Sequence, residues 1–363
     1  EDGTPCYQSL IASDNSGVAW EFLSFDSGNP DSSNFEWPQE GELSKCTDLR
    51  NVQAFSSANK ADSSSLISDA VIDEINSRQN MWKAEKSKAF QGHSFDDFKG
   101  MLFDPLAHGH INPVANAGIK ALQNAPPRHN LRADVLIPAH FDSQTQWPAC
   151  KQLISTIYDQ DKCGSCWAFS GRKTLEDRFC IQTNISQRLS TYEMLSCFYN
   201  QQNCQGGFPD TLWYDFATQG AVTENCFSRL YIAQQCTELC PTHRRYKVSS
   251  YYPVSLDTTD KAANVKAIQL EIMAHGPVQS SFWAFDDLPT YGSGVYQPAG
   301  YSKVLGGHAI TITGWGETPQ GQQYWIVHNS WGGDWGLEGR FLMARGSNTC
   351  GIETQVVAGI PLL

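Results

Sequence analysis

Nowhere in the 363 residues is there an apolar run of the roughly 18 or more residues that a bilayer span requires, and no segment concentrates lysine and arginine. The first absence argues against a membrane-crossing helix. The second argues against nucleic acid as a partner, because phosphate binding depends on clustered cations and this chain carries a net charge of -12. Internal repeats are absent, and the chain starts at Glu1 with neither Met nor an apolar leader, which reads as a secretory signal already removed. Cysteine, in contrast, is plentiful. Twelve in a chain of ordinary globular composition point to an oxidising compartment where disulfides persist. Asn184-Ile185-Ser186 is an N-glycosylation acceptor in such a setting, and a sequence pI of 5.2 suits a mildly acidic one.

The texture changes along the chain. Residues 1–61 are rich in Ser, Asn, Asp and Gly, with Cys6 and Cys46 towards the two ends, and read as a loop-rich extension of unassigned role closed by one disulfide. From Leu66 to Ala84, Ile67, Val71 and Ile75 recur at helical spacing with Trp82 following, which predicts an amphipathic helix. Asp104 to Pro138, with Pro105, Pro113, Pro126 and Pro127, reads as an extended connector open to proteolysis. Beyond it, Trp167 to Gln182 reads as helix with Ala168, Leu175 and Phe179 on one face. Ala309–Thr313 and Tyr324–Val327 read as strands. The fold class expected is α+β, with a helical part preceding a sheet part.

The strongest chemical signal is Gln160-Asp161-Lys162-Cys163-Gly164-Ser165-Cys166-Trp167-Ala168-Phe169. A cysteine that opens a helix has its thiolate favoured by unpaired N–H groups and the positive end of the helix dipole. A bare C-x-x-C also fits a thioredoxin-like redox pair or half a zinc site. The run as a whole resembles the nucleophile segment of papain and the cathepsins, whose signature is C-G-[SA]-C-[WY]. A second element, Gly306-Gly307-His308-Ala309-Ile310, lies 142 residues downstream (308 minus 166), within the family's spacing of about 130–150. Asn329-Ser330-Trp331-Gly332 lies slightly farther on, with an implied short insertion around Gln322 and Gln323.

The resemblance implies a papain-like two-lobed fold, helical on one side and β-barrel-like on the other. It also implies a cysteine endopeptidase working through a Cys166 thiolate and a His308 imidazolium. Asn329 would orient the imidazole, Trp331 would shield it, and Gln160 with the backbone N–H of Cys166 would hold the oxyanion. The Gly that the family usually has after this Gln is Asp161 here. His328, beside Asn329, falls at a variable family position and is not given a catalytic role. Gly206, Gly207 and Gly307 would admit an extended peptide close to the backbone.

The same correspondence pairs Cys150 with Cys180, Cys163 with Cys204, Cys197 with Cys236 and Cys226 with Cys240, leaving Cys350 free like Cys166. It needs neither metal nor cofactor. Ile137-Pro138-Ala139-His140-Phe141-Asp142, Gln146-Trp147-Pro148-Ala149-Cys150 and the ending Cys350-Gly351-Ile352-Glu353 through Pro361 resemble cathepsin B. Only nine residues, none of them His, separate Cys226 from Cys236, so the His pair of an occluding loop is missing and dipeptidyl carboxypeptidase activity is not expected. Gln355 replaces the acid at the floor of the S2 pocket, which favours apolar or aromatic P2.

The implied organisation is an extension (1–61), an inhibitory propeptide (62–136) acting in cis, a helical lobe (137–250) and a β lobe (251–363). Phe95, Phe98, Met101, Leu102 and Phe103 would dock the propeptide and run through the cleft. Peptide substrates, cystatin-like inhibitors, a monomeric state and a lysosomal, vacuolar, other acidic endomembrane or secreted location follow from the same likeness. The rival readings are a catalytically silent papain-like binding protein and a thiol–disulfide oxidoreductase joining Cys163 to Cys166.

Overall fold

The structure is a computed structural model that describes residues 7–11, 18–22, 66–103, 135–198, 203–228, 236, 244–255 and 260–363. The chain divides into two units, Glu1–Ser63 and Ser64–Leu363. In the first, strands β1 (Tyr7–Ile11) and β2 (Val18–Phe22) pair antiparallel, Tyr7 opposite Phe22. The expected Cys6–Cys46 bridge lies outside the described residues.

The second unit opens with helix α1 (Asp69–Arg78), started by the Ser68 side chain, which accepts from the Val71 N–H at 3.3 Å. The helix does not continue to Trp82 as its spacing suggested. Gln79 turns extended at φ -147°, and its side-chain amide bonds both the N–H and the carbonyl of Trp82. Trp82 therefore begins strand β3 (Trp82–Ala84), opposite Gly294, with its ring against Tyr291 and Tyr296. Next comes α2 (Phe95–Gly100), closed by a reciprocal capping box between Ser94 and Asp97. That cap fixes which residues face inward: Phe98 is fully buried while Phe95, at the first helical position, is 42% exposed. Phe95 is thus removed from the docking set.

The remaining helices are α3 (Ser143–Gln146), α4 (Lys151–Ile154), α5 (Cys166–Thr183), α6 (Thr191–Cys197), α7 (Pro209–Thr218) and α8 (Lys261–His275). The strands are β4 (Phe141–Asp142), β5 (Val248–Pro253), β6 (Val278–Phe285), β7 (Tyr291–Tyr296), β8 (Val304–Glu317), β9 (Gln323–His328), β10 (Arg340–Ala344) and β11 (Val356–Pro361). They form one sheet with β3, in the order β3-β7-β10-β9-β8-β6-β11-β5, with β4 against β8. Both strands expected from sequence fall inside β8 and β9. Two strands from the stretch expected to be helical also join the sheet. Phe141 stacks on Trp315 at 4.9 Å, and β5 pairs β11, so the ends of the two halves cross over.

One core lies on the sheet and includes Phe282, Trp315, Trp325 and Phe341 together with Trp82, Phe90 and Phe98. The other gathers Trp167, Leu175, Leu212, Trp213 and Phe216 among the helices. Between them runs α5, buried from Cys166 through Cys180 although it carries Arg172, Lys173, Glu176, Asp177 and Arg178. Burial of so many charges is tolerable because each is paired. Arg172 meets Glu176 at 2.8 Å, Lys173 meets Asp177 at 2.5 Å, and Arg178 reaches Glu271 at 2.9 Å. Bridges Cys150–Cys180, Cys163–Cys204 and Cys197–Cys236 are present, and Cys226 is also disulfide-bonded, its expected partner Cys240 lying outside the described residues. Cys166 and Cys350 are free thiols. No helix among the described residues is long and apolar enough to cross a membrane.

Candidate active site

Helix α5 begins at Cys166, so the sulfur lies where orphan N–H groups favour an anion. The loop before it is held by the Cys163–Cys204 bridge and by Gly164 N–H donating to the Cys204 carbonyl at 2.9 Å. A Cβ on Gly164 would come within 2.4 Å of that carbonyl, which is why Gly stands between the two cysteines. Asp161 takes φ +49°, the left-handed region that glycine favours and aspartate tolerates, and its N–H donates to Asp159 Oδ1 at 2.8 Å. The departure at 161 therefore leaves the turn intact.

His308 projects from β8 opposite Phe282, and Asn329 follows the last residue of β9. The imidazole Nε2 lies 2.7 Å from Asn329 Oδ1, which also accepts the Ser330 N–H at 2.8 Å. An oxygen already accepting one N–H is presented to the ring as an acceptor, which puts the ring proton on Nε2. Nδ1 has no partner among the described residues. Trp331 stacks on the ring at 4.7 Å and is itself 1% exposed, so water does not reach the His308–Asn329 bond.

Cys166 packs against Ala309, the residue after His308, and the Ala309 N–H points to its sulfur. Burial pushes the Cys166 thiol up to about 12, against backbone N–H groups of Ala309, Trp167 and Cys166 that pull the other way. Burial likewise brings His308 down to about 4, opposed by the Asn329 bond. In this covered state both groups are neutral. Water readmitted to the cleft would weaken the burial effect on each group, while the N–H groups and the Asn329 bond already favour the charged pair.

The cover is the amino-terminal arm. Gln160, buried, donates from Nε2 to the Met101 carbonyl and to the Cys163 carbonyl, each at 2.8 Å, while its Oε1 accepts the Ser330 hydroxyl at 2.6 Å. Its donor end is therefore aimed at a carbonyl oxygen of the arm. Phe103 and Gly307 exchange both backbone hydrogen bonds at 2.9 Å. A Cβ on Gly307 would lie 2.5 Å from the Phe103 ring, and one on Gly206, at φ +121°, would lie 2.9 Å from Phe103 Cβ. The ring settles among Cys166, Phe208 and Ala309. Gly207, next to Gly206, is buried.

Gln355 is exposed, its carbonyl accepting the Ser281 N–H at 3.2 Å. Nearby Glu353 is buried and committed to Trp325, Gly346 and Asn348. Asn184 is exposed at the left-handed cap of α5. His328 is buried, and residues 229–235 between Cys226 and Cys236 lie outside the described residues. Sequence reasoning missed Phe208 and Ser330, whose only signal was adjacency to Gly207 and Asn329. It also missed Lys162, which pairs with Asp97 at 2.9 Å.

A family model described as "Papain family cysteine protease" matches residues 137–360. A cathepsin B-like cysteine proteinase of Schistosoma japonicum is 35% identical over 334 residues, covering 81% of this chain and 91% of its own. Cathepsin B-like cysteine proteinase 4 of Caenorhabditis elegans is also 35% identical, with 81% and 92% covered. Among solved structures, proCathepsin B S9 from Trypanosoma congolense superposes with a TM-score of 0.69 at 29% identity, covering 82% of this chain and 99% of that one.

Proposed function

Because the chain belongs to the papain family of cysteine peptidases and is cathepsin B-like, we propose that Cys166 and His308 carry its peptide hydrolysis with Asn329 and Gln160 in support. His308 Nδ1 takes the Cys166 proton, and the sulfur attacks the scissile carbonyl. Gln160 Nε2 and the Cys166 N–H receive the oxyanion, and the imidazolium returns its proton to the leaving amine as the C–N bond breaks. Water, deprotonated by His308, then cleaves the thioester and regenerates the thiol. Asn329 holds Nε2–H throughout, so the proton moves at Nδ1 alone.

The observation that carries this reading is the 2.7 Å contact between His308 Nε2 and Asn329 Oδ1, with Nδ1 left for the sulfur packed on Ala309. A silent binding protein has no need of that tautomer. Once residues 1–136 are removed, an epoxysuccinyl peptide is expected to label Cys166 one to one, and Cys166→Ala to abolish both labelling and turnover. A full-length chain that folds and stays unlabelled after processing overturns the assignment.

The arm over the cleft acts as an inhibitory propeptide in cis, with Met101 and Phe103 standing where substrate would. Phe103 among Phe208, Cys166 and Ala309 favours an aromatic or apolar P2, and neutral Gln355 offers a basic P2 no ion pair. Phe-Arg fluorogenic substrates are expected to show the higher kcat/KM, and equal cleavage of Arg-Arg substrates refutes this. The short Cys226–Cys236 interval without His favours endopeptidase over dipeptidyl carboxypeptidase action. An acidic endomembrane compartment or the extracellular space, with cystatin-like proteins as inhibitors, fits this chemistry.

A further inference from the structure

Behind the cleft, where α5 passes the middle of β8 and the end of β9, lies a cavity of about 10 Å³ lined in part by Tyr158, Ser170, Lys173, Thr311, His328 and Asn329. Its polar groups divide sharply. Lys173 Nζ is spent on Asp177 and the Leu153 carbonyl, Tyr158 on Glu176, Thr311 on the Ser170 carbonyl, and the Ser170 hydroxyl on the Cys166 carbonyl. Both ring nitrogens of His328 and Nδ2 of Asn329 are buried with no protein partner among the described residues. Groups of this kind, next to room for the centre of one water molecule, make a water site.

We propose that His328 is a positioning residue for hydrolysis: through one water held in this cavity it anchors the Nδ2 end of the Asn329 amide and so keeps Oδ1 turned to His308. The proposal rests on the roles given above to His308 and Asn329. Asn329 Oδ1 is already fixed by the Ser330 N–H and the imidazole. A flipped amide would set Nδ2 against the Nε2–H, donor to donor, and lose the tautomer that leaves Nδ1 free. A water that accepts from Nδ2 and donates to the accepting ring nitrogen of His328 satisfies the amide and that nitrogen, and opposes the flip. Burial first, then the charges of Lys173 and Arg340, holds His328 well below the usual histidine range, so its ring is neutral and keeps one accepting nitrogen. Of the charged groups around it, Lys173 is neutralised by Asp177.

The test uses enzyme activated from the full-length chain, with active enzyme counted by epoxysuccinyl titration of Cys166. A wild-type enzyme that titrates shows the peptidase reading intact, so failure here is separate from failure there. His328→Leu is expected to lower kcat about tenfold with KM within about twofold, and to move the alkaline limb of kcat/KM to lower pH as His308 loses support for its imidazolium. His328→Gln, which keeps an acceptor, should recover kcat to within about threefold. A leucine variant with wild-type kcat and pH profile, or a glutamine variant no better than leucine, overturns the proposal. Should the leucine variant fail to fold, a high-resolution crystal structure of the wild type decides: density for a water between His328 and Asn329 is expected, and its absence is fatal.

Discussion

Residues 88–100 and residues 101–103 of the amino-terminal arm meet the rest of the molecule by different means. The first region inserts side chains: Phe90 and Phe98 pack edge-on against each other and against Trp331, at 5.2 and 5.4 Å from its ring. The second mostly uses backbone, spending the Met101 carbonyl on Gln160 and both polar groups of Phe103 on Gly307. The first grips the tryptophan that covers His308, and the second fills the cleft. Affinity that comes from buried rings is non-directional, whereas backbone pairing fixes register along the cleft.

Truncating each part separates the two. Phe98→Ala removes a fully buried ring, a change that typically costs about 3–5 kcal/mol. Unprocessed chain at neutral pH is then expected to react with a thiol-directed activity probe at least about a hundredfold faster than wild type. Phe103→Ala loses a smaller term, about 1.5–3 kcal/mol of burial. It should open the cleft to the probe while amide exchange in α2 stays slow. Equal loss of protection in both regions would show that the two grips are one.

The ion pair between Asp97 and Lys162 should matter least, since both side chains are solvated and screened by salt. Asp97 is held down to about 2, first by the Ser94 N–H and then by Lys162. A carboxyl depressed in this way contributes above its unfolded value of about 3.9 and loses that contribution only as pH falls through about 2. Acidification from pH 7 to 4.5 therefore leaves it charged. The pH dependence of autoprocessing in Asp97→Asn should superimpose on that of wild type, with a rate change of no more than a few-fold that salt erases. A displaced acid limb would make Asp97 the trigger.

Much of the site was legible because its chemistry is local in sequence. Cys-Gly-Ser-Cys before a helix and Gly-Gly-His before a strand each state a backbone need and a reactive group together. The rest was hidden where tertiary contacts decide. Trp82 looked like the continuation of a helix because Gln79, which ends it, carries no breaker signal. Phe95 looked like Phe98 because only the Ser94–Asp97 cap separates N1 from the inward face. The charges of α5 carry no local sign of burial, yet each is buried with a partner, one of them Glu271, 93 positions away from Arg178. Partners so distant leave no mark on local periodicity.

Strand β3 lies at one edge of the sheet, in the arm that the processing proposed above would remove. While it remains, β7 is bonded on both sides, by β3 and by β10. Its loss would unpair the stretch of β7 from Tyr291 to Gly294 and turn those amides and carbonyls to solvent. Processing of that kind would trade a covered cleft for an open strand edge, able to pair with its like in concentrated solution.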